Sequence, residues 1–272
     1  MASIRERMPS GLPFGRGQTV PVEPEEEEPE TFAEMTLAEH LEELRQRILY
    51  SALAIFGGFV AGIALANPVL KKIAEQAQVP DTGLQAISPT EPFTVFMKVA
   101  LYIAIAIAMP VLIWQFTRFL APGLTRRERR VMFRAIPFIF LSFVGGVAFA
   151  FFLLAPRALS FLSQFNSGAM DWNPRAEEVI SFYLTLMIGV GLMFELPLVI
   201  YALSWIGIVN TAILSRFRKF AVLLVMVAAA IITPTPDPFN MMLVAIPMYA
   251  LYEIGIILSR LTPRAKRQAE NR

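Results

Sequence analysis

The sequence contains no cysteine and a single histidine, His40. That excludes a disulfide framework, a Cys/His metal site and a cysteine nucleophile. Charge is also scarce. Asp, Glu, Lys and Arg make up 17% of the 272 residues, against about 25% in an ordinary soluble domain. The net charge of +2 is too small to point to nucleic acid, and no basic groove with interleaved aromatics occurs. No Walker A lysine loop is present. The first thirty-odd residues are polar and proline-rich, with no apolar h-region, so no cleavable signal peptide is expected. An intramembrane aspartyl protease would need two facing aspartates, and the nearest candidate, Asp237, sits in a loop sequence. A serine protease would want a Ser–His pair at membrane depth, whereas His40 belongs to a surface helix. Catalysis, cofactor and metal are therefore not expected.

What the chain has instead is apolar sequence in long blocks. Hydrophobic residues reach 56% and mean hydropathy is +0.55. The reading is an all-α integral membrane protein in three parts. Residues 1–34, ending in "PVEPEEEEPE" and beyond, form a disordered acidic tail, because proline and repelling glutamates bury too little surface to offset ordering entropy. Residues 35–260 form the membrane domain. Residues 261–272 form a basic C-terminal tail.

Within the membrane domain, Thr36 with Glu39 is a capping-box pattern. Leu37, Leu41, Leu44 and Ile48 then make an apolar stripe at helical spacing. Charge-free segments follow at 48–66, 99–116, 135–155 and within 179–209. Two shorter runs, 220–233 and 239–252, flank the breaker "PTPDP". Each falls below the ~20 residues that cross a bilayer core. Six transmembrane helices are expected, the last two short, with four spans and a re-entrant hairpin as the other arrangement.

Lys and Arg placement gives the orientation. Arg45, Arg47, Arg118, Arg126, Arg127, Arg129, Arg130, Arg134, Arg216, Arg218, Lys219, Arg260, Arg264, Lys266 and Arg267 fall on one side. Lys71, Lys72, Lys98, Arg157 and Arg175 fall on the other. Both termini are thus expected in the cytoplasm.

Two constellations of carboxylates stand out. Glu195, in "GLMFELPLVIY", is the one charge between residues 179 and 209. An ionisable residue inside a span usually faces a bundle interior, a partner or a water cavity. Pro197 removes the backbone bond to the Met193 carbonyl and should kink the helix there. Such a site suits a proton-coupled transporter or a docking point for a polar partner helix, and a protonated glutamate with a packing role only is the third reading. The second constellation is Glu42, Glu43 and Glu128 at the membrane surface. Glu43 can pair with Arg47, Glu42 with Arg45, and Thr125 with Glu128 forms a capping box. The same carboxylates could grip a guanidinium bidentately.

Taken in order, the motifs resemble the TatC family, the multispanning receptor of the twin-arginine protein translocase. "HLEELRQRI" (40–48) resembles its N-terminal helix signature, and "SPTEPFTVFMK" (88–98) its entry to the second span. "QFTRFLAPGLTRRERR" (115–130) resembles its first cytoplasmic loop, "FELP" (194–197) its fourth-span motif, and "AIPMYALYEIGI" (245–256) its last span. The likeness covers residues 36–260. It implies a cytoplasmic (inner) membrane protein that binds twin-arginine signal peptides of folded cargo. It also implies TatA-like and TatB-like single-span partners, self-association, and transport driven by the proton-motive force. By position, Glu43 and Glu128 match the family's peptide-binding carboxylates, with Arg45, Phe119, Pro122 and Leu124 beside them. Pro68 and Asp237 match positions in extracytoplasmic loops, and Glu195 the buried polar position of the fourth span. Met241 departs from the pattern, which often has glutamine there. The runner-up function is a proton-coupled small-molecule permease, though a relay of intramembrane charges is hard to find beyond Lys98 and Glu253 near span ends.

Overall fold

The computed structural model describes residues 37–77, 84–165, 172–233 and 237–262. All of them belong to the second of the two units into which the chain divides, Phe32–Arg272. The expected acidic tail, the Thr36–Glu39 capping box and residues 263–272 of the basic tail lie outside the described residues.

Every regular element is helical. Helix α1 (Leu37–Gln76) is the longest, at 40 residues, or about 60 Å. It continues through Pro68, a position that the family resemblance implies lies in a loop. The helix tolerates the proline because the lost donor faces only the Ala64 carbonyl, and spanning helices accommodate such gaps. Helix α2 (Glu91–Leu120) returns antiparallel along α1, and these two pack more extensively than any other pair. Small residues allow this closeness: a Cβ added at Gly58 would lie 2.7 Å from the Ala104 carbonyl oxygen, and one at Gly62 would meet that of Ala100.

A 3₁₀ turn, Ala121–Gly123, leads to α3 (Arg126–Phe149). A π-helical turn at Ala150–Leu154 joins α3 to α4 (Ala155–Gln164) as one span. The wide turn falls just before Pro156, which cannot donate to the preceding turn. The fourth span is broken in two, α5 (Ala176–Met193) and α6 (Leu196–Ile206), as the Glu195–Pro197 pattern predicts. Helix α6 stops at Gly207, whose φ of 89° is the left-handed C-terminal conformation that glycine adopts without strain.

Helix α7 (Thr211–Arg216) is capped by Asn210, whose side chain accepts from the Ile213 N–H at 2.8 Å. Helix α8 (Arg218–Ile232) has 15 residues, about 22 Å. Helix α9 (Pro238–Arg260) has 23 and is long enough to cross, so the last apolar run is not short. The charge that ended that run in sequence, Glu253, is tied off: it accepts from Arg218 at 2.8 Å and from the Tyr249 hydroxyl at 2.9 Å. Among the described residues, five helical segments are long and apolar enough to span a membrane.

The core runs along α2, α4, α5 and α9, around fully buried Tyr183, Ile180, Leu154 and Met248. Outward-facing side chains are just as apolar: Leu53, Phe56 and Val60 on α1, and Leu223, Leu224 and Ile231 on α8, are all at least 61% exposed. Such continuous apolar exterior suits lipid rather than water.

Candidate functional site

At one end of the bundle, the start of α1 packs against the end of α2, from which the 3₁₀ turn leads into the start of α3. Glu43 is 14% exposed at its side chain and accepts from Arg47 Nη2 at 2.8 Å through one oxygen. The other oxygen, Oε2, is buried without a partner among the described residues. Arg47 in turn reaches Gln115 of α2 at 3.4 Å. One turn earlier, the His40 imidazole stacks on the Phe119 ring, centroids 4.4 Å apart. These contacts fix α1 against α2 at this end. Pro122 lies in the 3₁₀ turn, and the Leu124 N–H closes it onto the Ala121 carbonyl at 3.2 Å.

The expected capping box is present. Glu128 N–H donates to Thr125 Oγ1 at 3.3 Å, and the Thr125 N–H donates to the Glu128 carboxylate at 3.1 Å. Arg45 is largely exposed and pairs with Glu42 at 3.6 Å. Glu43, Arg45, Phe119, Pro122, Leu124 and Glu128 all belong to these segments. Pro68 does not: 25 helical residues on from Glu43, it is about 37 Å away. Asp237 caps α9, its Oδ1 accepting from the Asn240 N–H at 2.7 Å and its Oδ2 from the Asn240 amide at 2.9 Å.

Glu195 sits at the break between α5 and α6, and both of its carboxylate oxygens are buried near the Phe143 backbone with no partner at hydrogen-bond distance among the described residues. The break leaves backbone carbonyls without their helical donors. One is recovered: the Ser142 hydroxyl donates to the Phe194 carbonyl at 2.8 Å. Close approach of α3 makes this reach feasible, since a Cβ at Gly146 would collide with Gly191 Cα at 2.9 Å.

A third polar cluster, at the opposite end of α2, went unread in the sequence. Glu91 is 2% exposed. Its carboxylate accepts from the N–H groups of Ile87 (2.9 Å), Ser88 (3.2 Å) and Glu177 (2.9 Å), and from Arg175 Nε at 3.0 Å. That bond and the carboxylate's charge push the Arg175 guanidinium above its ordinary pKa. Lys98 bonds Glu177 at 2.7 Å, and a bridge between Gln85 and Arg175 ties the two loops. The available signal was an acidic residue flanked by Thr90 and Pro92 at a helix start, which fits a first turn. Its two partners on the far side of the cluster, Arg175 and Glu177, lie 84 and 86 residues away, beyond any local pattern. Among the described residues, no group of three His, Asp or Glu side chains could hold a metal ion.

Residues 39–247 match the family described as Sec-independent protein translocase protein (TatC). The chain belongs to the TatC family. It is 38% identical over 226 residues to the Sec-independent protein translocase protein TatC of Carboxydothermus hydrogenoformans, covering 83% of this chain and 93% of that one. It is 36% identical over 231 residues to TatCy of Bacillus subtilis, covering 84% and 89%. A crystal structure of a twin-arginine translocase receptor, TatC, superposes with a TM-score of 0.73 at 35% identity, covering 82% of this chain and 99% of that one. The chain is thus a twin-arginine translocase component with several membrane-spanning helices.

Proposed function

We propose that this TatC-family chain is the receptor that binds twin-arginine signal peptides at the cytoplasmic face, and that the Glu43–Glu128 end is where it does so. The observation carrying this reading is the state of Glu43. One oxygen holds Arg47, and the other is buried and lacks a donor. A buried acceptor without a partner costs about 1–3 kcal/mol, and a guanidinium arriving from a ligand would satisfy it. Glu128 presents a second carboxylate at the first turn of α3. Phe119, Pro122 and Leu124 supply apolar surface beside them for the hydrophobic stretch that follows paired arginines, and Arg45 lies at the exposed rim.

In this reading the basic end of the bundle faces the cytoplasm, both termini included, in the cytoplasmic (inner) membrane. Helix α8 counts as a sixth, short span that the bilayer thins to meet. Residues 1–34 and 261–272 are cytoplasmic tails on the 35–260 membrane domain. Glu195, at the helix break, receives a polar group from a TatA-like or TatB-like partner helix, while Pro68 and Asp237 order the extracytoplasmic end. Self-association of the receptor and drive by the proton-motive force complete the assignment.

The test is the affinity of the purified protein for a twin-arginine peptide against its twin-lysine counterpart. Bidentate geometry is lost with lysine, so the lysine peptide should bind about tenfold more weakly, the equivalent of one charge-assisted bond. Equal affinities would refute the assignment.

A further inference from the structure

Beside the Glu91 cluster lies a cavity of about 800 Å³ between the end of α4 and the first turns of α5, a volume within the range of pockets that take small ligands. Leu159, Leu162, Val179 and Phe182 make it apolar. It reaches Thr185, nine residues into α5 and so about 14 Å along the span. The mouth is different. Arg175 and Glu178 line it, at the point where α5 emerges.

The mouth carries two groups with unused capacity. Glu178 is exposed and makes neither a hydrogen bond nor an ion pair among the described residues. The Trp172 indole Nε1, also in the lining, is buried without an acceptor. The remaining charges are engaged with one another: Arg175 with Glu91 and Glu177, and Lys98 with Glu177. Two cations against three carboxylates leave the cluster one negative charge in excess, and that charge resides on Glu178.

From this arrangement we propose that the α4–α5 cavity binds a phospholipid whose headgroup carries a primary ammonium. The acyl chain lies along Leu162, Phe182 and Thr185. The ammonium donates to Glu178, and the phosphate accepts from the Trp172 indole and the outer face of Arg175. Each half of the headgroup meets the group of opposite character, which is why a zwitterion fits. An anionic glycerol headgroup would bring its phosphate into a cluster already negative. A quaternary ammonium has the charge but no N–H for the carboxylate to accept. The assignment does not depend on peptide binding at Glu43 and Glu128, which lie at the other end of the bundle.

The test is native mass spectrometry of the purified full-length protein with phosphatidylethanolamine, phosphatidylglycerol and phosphatidylcholine of matched acyl chains. The ethanolamine lipid should be retained about five- to tenfold over each competitor, the scale of one charge-assisted hydrogen bond near a surface. Glu178→Gln, at an exposed side chain that makes no hydrogen bond or ion pair among the described residues, should erase that preference while leaving thermal stability nearly unchanged. A photo-crosslinking residue at Thr185 in phosphatidylethanolamine-rich bacterial membranes should carry a phospholipid adduct. Equal retention of the three lipids, a preference for phosphatidylglycerol, or a preference that survives Glu178→Gln overturns the proposal. So does a polypeptide on the crosslinker, which would make the cavity a seat for a partner helix.

Discussion

The Ser142 hydroxyl of α3 donates to the Phe194 carbonyl at 2.8 Å, at the break between α5 and α6. The bond gives the Phe194 carbonyl a donor where the helix breaks, and it does so next to Glu195. The contact helps to hold the break in one geometry.

Ser142→Ala should therefore leave the Phe194 carbonyl without its donor. The expected loss is about 1 kcal/mol, typical of an interhelical hydrogen bond in a membrane protein. A lower thermal midpoint in detergent would register it, and Ser142→Thr, which keeps the hydroxyl, should restore most of the difference. A midpoint unmoved by the alanine would mean that the contact does not support the break.

Glu195 itself should behave in the opposite way. Its two oxygens are buried and unsatisfied within the isolated chain, so Glu195→Leu removes an uncompensated polar group. The purified variant is expected to melt no lower than the parent, yet to lose co-purification of TatA-like and TatB-like partners. A substantial fall in melting temperature would show that the carboxyl serves this fold rather than a partner.

The seam between α1 and α2 depends on the absence of side chains. Gly62→Ala would drive a methyl group into the Ala100 carbonyl, a backbone atom that cannot swing aside. Forcing volume into such a seam costs about 1–3 kcal/mol. Gly57→Ala on the same helix meets nothing within 4 Å and serves as the control. Comparable melting of the two variants would contradict the packing described.

At the other end, Glu91→Gln replaces one acceptor oxygen by an amide that can only donate. Of its four donors, the N–H groups of Ile87, Ser88 and Glu177 can be followed directly. Their hydrogen exchange should accelerate together, and the protein should melt earlier. Unchanged exchange at all three would remove Glu91 from its place at the centre of this cluster.

How much of this was legible beforehand depends on distance along the chain. The Glu42–Arg45 and Glu43–Arg47 pairs and the Thr125–Glu128 capping box were readable because helical geometry brings residues three and four apart together. The break at Glu195 was readable because proline acts on its own turn. Pro68, carried over by resemblance as a loop position, lies inside α1, because one missing backbone bond does not stop a helix whose flanking residues keep forming it. The last span was underestimated at Glu253 because its partner, Arg218, lies 35 residues away. Glu91, Arg175, Lys98 and Glu177 were each visible as charges, but only the antiparallel return of α2 and the docking of α5 bring them into one network. For the proposed peptide-binding end, the family resemblance pointed to the residues, and the fold adds a Glu43 oxygen that meets no donor among the described residues.

The most direct test of the central claim is site-specific crosslinking of a twin-arginine signal peptide to the purified protein in nanodiscs. The controls are a twin-lysine peptide and the Glu43→Gln and Glu128→Gln variants. The expected result is a set of crosslinks around Phe119, Leu124 and Glu128 that fades in all three controls while the variants keep their melting temperature. Crosslinks of the same strength in every control would reduce both carboxylates to an ion pair and a helix cap, and the receptor site would have to lie elsewhere.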